Sequence, residues 1–278
     1  RGLLYVHAAT GEVPYLNRAR TYTLSWIRTV RPAGNPINMN KLDALWMAYL
    51  QIRDARAWSS DEQAEVEKFL RQVSDAIIKD AGNSNKGNWH SKRIKLVGAS
   101  GFLLNDAVYR KWAGEGYRAY VKDNIAPDGQ TYDFKHRDSL SYHTGGVTPL
   151  LEIAIAARMA DEDLYGFATS EGASVRSAVA FLLPYARGEK IHPQWVNSKE
   201  KFDRIRWESG DPKYEPGKPW DRKAGQEMLE LAAFFDSSLL PLVSELAENK
   251  NRYGSWTGVL AAAASSAKGK RTDAAANQ

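Results

Sequence analysis

Five histidines occur in the 278 residues, and three of them fall in two short polar segments. The first segment is Asn83-Ser84-Asn85-Lys86-Gly87-Asn88-Trp89-His90. Side-chain amides, an ammonium and the N–H groups of a helix start would converge there, where the helix dipole favours an anion. If the helix includes them, Asn85 shares a face with Trp89 and Lys86 shares one with His90. A carboxylate held by Asn85, Lys86 and Asn88 could then lie against the Trp89 ring. The three asparagines also suit ordinary turns and caps, and both readings stand.

The second segment is Lys135-His136-Arg137-Asp138-Ser139-Leu140-Ser141-Tyr142-His143. On one continuous helix Asp138 would share a face with Tyr142, and His136 would lie near Leu140 and His143. Cations so close to a phenol should lower its pKa and ready Tyr142 for proton transfer. The plainer alternative is a solvated basic helix start with a tyrosine at its edge.

Composition limits the other chemistries. Cysteine is absent, which removes disulfides, thiol nucleophiles and Cys-ligated zinc. Histidines and carboxylates show no metal-ligand spacing, so neither metal nor cofactor is expected. Phosphate-binding, dinucleotide-binding and nucleophile-elbow motifs are missing. The net charge of +5 favours anionic partners, but the basic residues are dispersed and carry no nucleic-acid module. No apolar run approaches the ~20 residues of a membrane span. Nine Trp and thirteen Tyr offer flat faces for sugar rings. The start, Arg1-Gly2-Leu3-Leu4-Tyr5-Val6, is too short and polar for a secretory h-region.

The elements that must position these groups read as helices. Apolar spacing predicts a short helix near 18–27, then helices over 41–57 and 60–81, the latter opened by a capping-box pattern. Further helices are expected over 87–104, 106–123, 138–160 with a break at Gly145-Gly146, 172–186 and 222–247. Residues 188–221, with several prolines and Trp195, Trp207 and Trp220, form a loop long enough to be a binding element. Helices joined by short turns pack as antiparallel hairpins. The expected class is all-α, an incomplete (α/α) toroid or barrel of such hairpins, with one domain over 1–257 and a flexible Ala/Ser/Lys-rich tail over 258–278.

Ser84–His90, Arg137–His143 with the following Pro149-Leu150-Leu151, and Val13-Pro14-Tyr15-Leu16-Asn17 resemble the alginate lyase family, over roughly residues 5–245. The resemblance implies an α/α-toroid polysaccharide lyase that cleaves 4-linked uronic acid chains by β-elimination, periplasmic or secreted and monomeric. It carries the family's carboxylate-binding Asn to Asn85, its Trp to Trp89, its Arg to Arg137, and its Tyr-His pair to Tyr142 and His143. The alginate-specific branch has His after that Asn, where this chain has Lys86, so either His90 or His136 would substitute or the mechanism would lean on the tyrosine alone. It also has a second Tyr where this chain has Gly145. A glucuronan-like substrate is therefore as compatible as mannuronate-rich alginate. Lys135 and Trp195 complete the expected substrate-binding set. Two other readings are a toroid hydrolase using Asp128, Asp133 or Asp138 in a carboxylate pair, and a non-catalytic binder of acidic carbohydrate.

Overall fold

The computed structural model describes residues 1–83 and 85–247. The tail expected over 258–278 lies outside the described residues. Thirteen α-helices occur among those residues: α1 (Gly2–Thr10), α2 (Val13–Thr29), α3 (Pro36–Asn40), α4 (Ala44–Asp54), α5 (Ser60–Asp80), α6 (Gly87–Leu103), α7 (Ala107–Asn124), α8 (Tyr132–Arg137), α9 (Leu140–Met159), α10 (Val175–Ala186), α11 (Lys201–Glu208), α12 (Gln226–Ala232) and α13 (Leu240–Leu246). Extended pairing among them is confined to isolated bridges such as Ile125–Thr131. The all-α class is as expected.

Among the described residues the chain forms two compact units, one of residues 1–85 and 92–115, the other of 86–91 and 116–247. In the first unit α5 shows why its sequence is helical. Ser59 accepts the N–H of Glu62 while Glu62 accepts that of Ser59, which occupies two otherwise orphaned donors. Val66, Leu70, Val73 and Ile77 recur on one face and are fully buried. Each such side chain contributes about 1.5–3 kcal/mol. Arg20 and Arg28 of α2 pair with Glu62 and Glu65 beside that face. The first helix, α1, is one the periodicity did not predict. Its hydrophobic residues surround the axis, and it is fixed by packing Leu4 with Leu16, Ala48 and Ile52.

The second unit is built around α9, which packs on α8, α10 and α12. Leu140, Val147, Leu150 and Leu151 are wholly buried on it. The break expected at Gly145-Gly146 does not occur, and the helix also absorbs Pro149, which has no N–H to donate and costs about 3 kcal/mol in an unsupported helix. Burial on several sides supplies the compensation. The 188–221 segment is not plain loop either, since it contains α11 and a short 3-10 turn at Pro212–Tyr214. The single helix expected over 222–247 divides into two short helices, α12 and α13.

Candidate active site

The predicted shared faces in the first segment do not form, because α6 begins only at Gly87. Asn85 and Lys86 precede it and are exposed. Gly87 takes the left-handed conformation (φ +61°) and donates its N–H to Asn124 Oδ1 at 2.9 Å. A Cβ on Gly87 would fall 2.3 Å from Asp133 Oδ1, and one on Gly146 would meet Tyr120 Oη at 3.0 Å and Asp133 Oδ2 at 3.1 Å. The buried Asp133 carboxylate thus fits between two glycines from separate helices. Gly87→Ala should therefore lose about 1–3 kcal/mol of stability, read as a lowered Tm in a thermal melt.

Lys86 reaches back to the Asp123 carbonyl at 3.4 Å, and its ammonium lies 5.8 Å from the centre of the Tyr132 ring. Tyr132 stacks in turn on His136, 5.2 Å between centroids and 11° between planes. His136 lies 3.6 Å from Glu200. The short helix α8 therefore carries one aromatic pair, one turn apart, that faces Lys86.

The second segment is two helices with a corner between them, not one. Thr131 caps α8, whose chain ends in left-handed Asp138 (φ +50°). Ser139 then caps α9 by accepting the N–H of Tyr142, and donates its own hydroxyl to Gln194 Oε1 at 2.8 Å. Gln194 also accepts the Ser141 N–H. Asp138 and Tyr142 consequently share no helical face. The corner instead lays the Arg137 guanidinium over the Tyr142 ring, 3.6 Å from its centroid.

Arg137 is itself held by a two-pronged bond to buried Asp203, whose Oδ2 also accepts from Ser198 at 2.7 Å. The Trp195 ring meets Tyr142 edge-on at 5.6 Å, and Tyr214 places its hydroxyl 3.4 Å from that of Tyr142. The phenol is not acidified as its basic neighbours suggested. Burial raises the Tyr142 pKa, and this outweighs the opposing pull of Arg137. The resting side chain at neutral pH is the neutral phenol.

The other histidines of the two segments turn inward. His143 is fully buried, with Nδ1 bonded to Thr131 Oγ1 at 3.1 Å and Nε2 to the Ala178 carbonyl at 3.0 Å. A carbonyl only accepts, so Nε2 carries the proton and Nδ1 takes the threonine hydrogen. Burial lowers its pKa from 6.5 to about 4. An unfolded chain takes up a proton here below about pH 6.5 while the folded one refuses it, so stability is lost as pH falls from there toward 4. The difference amounts to roughly 3 kcal/mol. Denaturant melts at stepped pH should show that loss, and His143→Gln should flatten it. His90 is also buried, stacked on Tyr120 at 6.0 Å.

Asn88 and Trp195 were expected to bind substrate at the surface, but they are 8% and 5% exposed. Trp195 is wedged between Tyr142 and Tyr214, so it is a wall for the phenols and not an open stacking face. Trp89, at 42% exposure, does present its ring, and Lys86 and Lys135 are exposed. The second unit thus gathers Lys86, Tyr132, His136, Arg137 and Tyr142 on and beside α8, whereas His90 and His143 support from below. Asn85 ends the first unit.

Tyr132, Gln194, Asp203, Arg206 and Tyr214 were not identified from sequence. The only signal for the last four was the length and aromatic content of 188–221. The three carboxylates named for a hydrolase lie in different surroundings. Asp133 is buried between the glycines, Asp128 accepts the Gln130 N–H, and Asp138 accepts the Asn197 N–H beside His192. Among the described residues no cluster of three His, Asp or Glu is disposed to hold a metal, and no helix is long and apolar enough to cross a membrane.

A family model described as "Alginate lyase" matches residues 6–192. Among solved structures, the chain is similar to the crystal structure of an alginate lyase from Bacteroides ovatus, with a TM-score of 0.56 and 15% identity. The match covers 79% of this chain and 57% of that one, so the present chain spans little more than half of that structure's length. At this identity the likeness shows the fold. No curated protein matches the chain.

Proposed function

Because the chain belongs to the alginate lyase family, we propose that it is a polysaccharide lyase, periplasmic or secreted, acting on a 4-linked polyuronate by β-elimination. Tyr142 is the acid and base. Its phenolate takes the C5 proton, the C4–C5 double bond forms, and the C4–O4 bond breaks with its electron pair passing to O4. The same hydroxyl then delivers the proton to O4, which leaves Tyr142 as it began. In β-D-glucuronate and β-D-mannuronate the C5 hydrogen and O4 lie on the same side of the ring, so one oxygen can serve both steps.

The C5 proton is weakly acidic because the carbanion develops beside a carboxylate. Donors around that carboxylate stabilise the dianion as charge builds. Lys86 fills that role, with Lys135 and His136 adding positive charge or hydrogen bonds and Trp89 offering an exposed ring to the sugar. Arg137 acts on the phenol, since Asp203 already occupies its fork. Lys86, in the position where alginate-specific relatives have His, favours a glucuronan-like chain. Support comes chiefly from one observation: a tyrosine whose ring is fixed beneath a guanidinium in a chain of this family.

The test is incubation with polyglucuronate, polymannuronate and hyaluronan while following the ultraviolet absorbance of the unsaturated product. Absorbance should rise, fastest on polyglucuronate. New reducing ends without the chromophore would indicate hydrolysis. Oligosaccharide binding with no product of either kind would indicate a carbohydrate-binding protein.

A further inference from the structure

Tyr142 does not meet its hydroxyl partner by chance of packing. Tyr214 is 5% exposed, with its ring 5.0 Å from that of Trp195. Arg206 of α11 donates from Nη1 to Tyr214 Oη, and its guanidinium also lies 4.8 Å from the centre of the Tyr214 ring. A guanidinium has only hydrogens to give, so the Tyr214 oxygen accepts in that bond and keeps its own hydrogen for another oxygen. Tyr142 Oη, at 3.4 Å, is such an oxygen. Donation into Tyr214 polarises its O–H and strengthens the onward bond.

We propose that Tyr214 is a positioning residue: braced by Arg206, it donates its hydroxyl hydrogen to Tyr142 Oη and stabilises the phenolate that removes the C5 proton. The inference rests on the lyase reading of Tyr142. Tyr214 retains its proton throughout; the proton that moves passes from C5 to Tyr142 and on to O4. The bond is long with both phenols neutral, and it tightens when Tyr142 carries charge, as hydrogen bonds to ionised acceptors do. Burial and the Asp203 carboxylate oppose ionisation of Tyr142, and the Arg137 guanidinium favours it. Arg137 lies over its ring, Asp203 and Glu200 act on Arg137, and Arg206 acts through Tyr214. Segment 188–221 supplies Asp203, Arg206 and Tyr214 together, and so assembles the surroundings of a phenol carried by another element.

Two measurements on the full chain test this. The first places a difluorotyrosine at position 142, whose lowered ionisation range can be followed by fluorine NMR, in the parent protein and in Tyr214→Phe. Loss of a donor makes the phenol harder to ionise, so its midpoint should rise by about one pH unit, a tenfold change in the equilibrium. Arg206→Gln should move it the same way by less. A midpoint that falls means that Tyr142 is the donor, and that result, like an unchanged midpoint, overturns the proposal. The second is the pH–rate profile of unlabelled Tyr214→Phe on the best polyuronate. Its rising limb should move to higher pH, with kcat reduced about tenfold at neutral pH and KM and Tm unchanged. A profile that coincides with the parent's also overturns the proposal. A parent protein inert on every polyuronate defeats the lyase reading instead, and the NMR midpoint then decides the hydrogen bond by itself.

Discussion

Tyr142→Phe should lower kcat on a polyuronate by about 10²–10⁴-fold, the range associated with one well-placed proton-transfer group. KM should stay within a small factor of the parent value. Phenylalanine keeps the ring beneath Arg137 and edge-on to Trp195, so the packing that fixes this corner survives. What disappears is one oxygen and its bond to Tyr214. Thermal melts should therefore superimpose on those of the parent, and equal binding of a short oligouronate would locate the loss in the chemical step. The parent enzyme should also show a rate that climbs with pH through the neutral range into the alkaline, because burial holds Tyr142 as a phenol and only the phenolate can take a carbon-bound proton. A variant that keeps more than a tenth of the parent kcat removes Tyr142 from the chemistry.

The helical class and most helix positions were legible because the apolar residues of α4, α5 and α7 recur at helical spacing, and α5 also opens on a capping box. Gly145-Gly146 was misread as a break. Glycine is a poor helix former, but at Gly146 an added Cβ would crowd Tyr120 and Asp133 at 3.0–3.1 Å, a pressure set by other helices and invisible locally, whereas Gly145 meets nothing within 4 Å. The same limit applies to the chemistry. Arg137 and Tyr142 were singled out together, and the structure does bring them into contact. Their nearness was expected only as that of cations close to a phenol in sequence, yet the contact arises at left-handed Asp138, which ends α8 and turns the chain. Nothing in the local pattern distinguishes an Asp that continues a helix from one that stops it. His143 drew attention as a titratable neighbour of Tyr142, and its neutral, doubly bonded state depends on Thr131 and Ala178, 12 and 35 residues away. Asp203 and Tyr214 are more distant still, at 66 residues from Arg137 and 72 from Tyr142.

Asp203→Ala should be the most destabilising of the substitutions considered. Asp203 is 2% exposed and balances the charge of an Arg137 that is itself mostly buried. Removing one partner of a buried ion pair costs about 3–5 kcal/mol, because the other charge is left without compensation. In a chain of this size that corresponds to a fall in Tm of roughly 6–20 °C. Activity should fall as well, since an unanchored guanidinium no longer stays over the Tyr142 ring. The double variant Arg137→Met with Asp203→Leu separates the two effects. Replacing both charges by apolar groups of similar size removes the desolvation cost along with the attraction, so Tm should return most of the way to the parent value. Catalysis should not return with it, because methionine offers no positive charge to the phenolate. A double variant that recovers both would reduce Arg137 and Asp203 to a packing element, whereas recovery of Tm alone ties the ion pair to the ionisation of Tyr142.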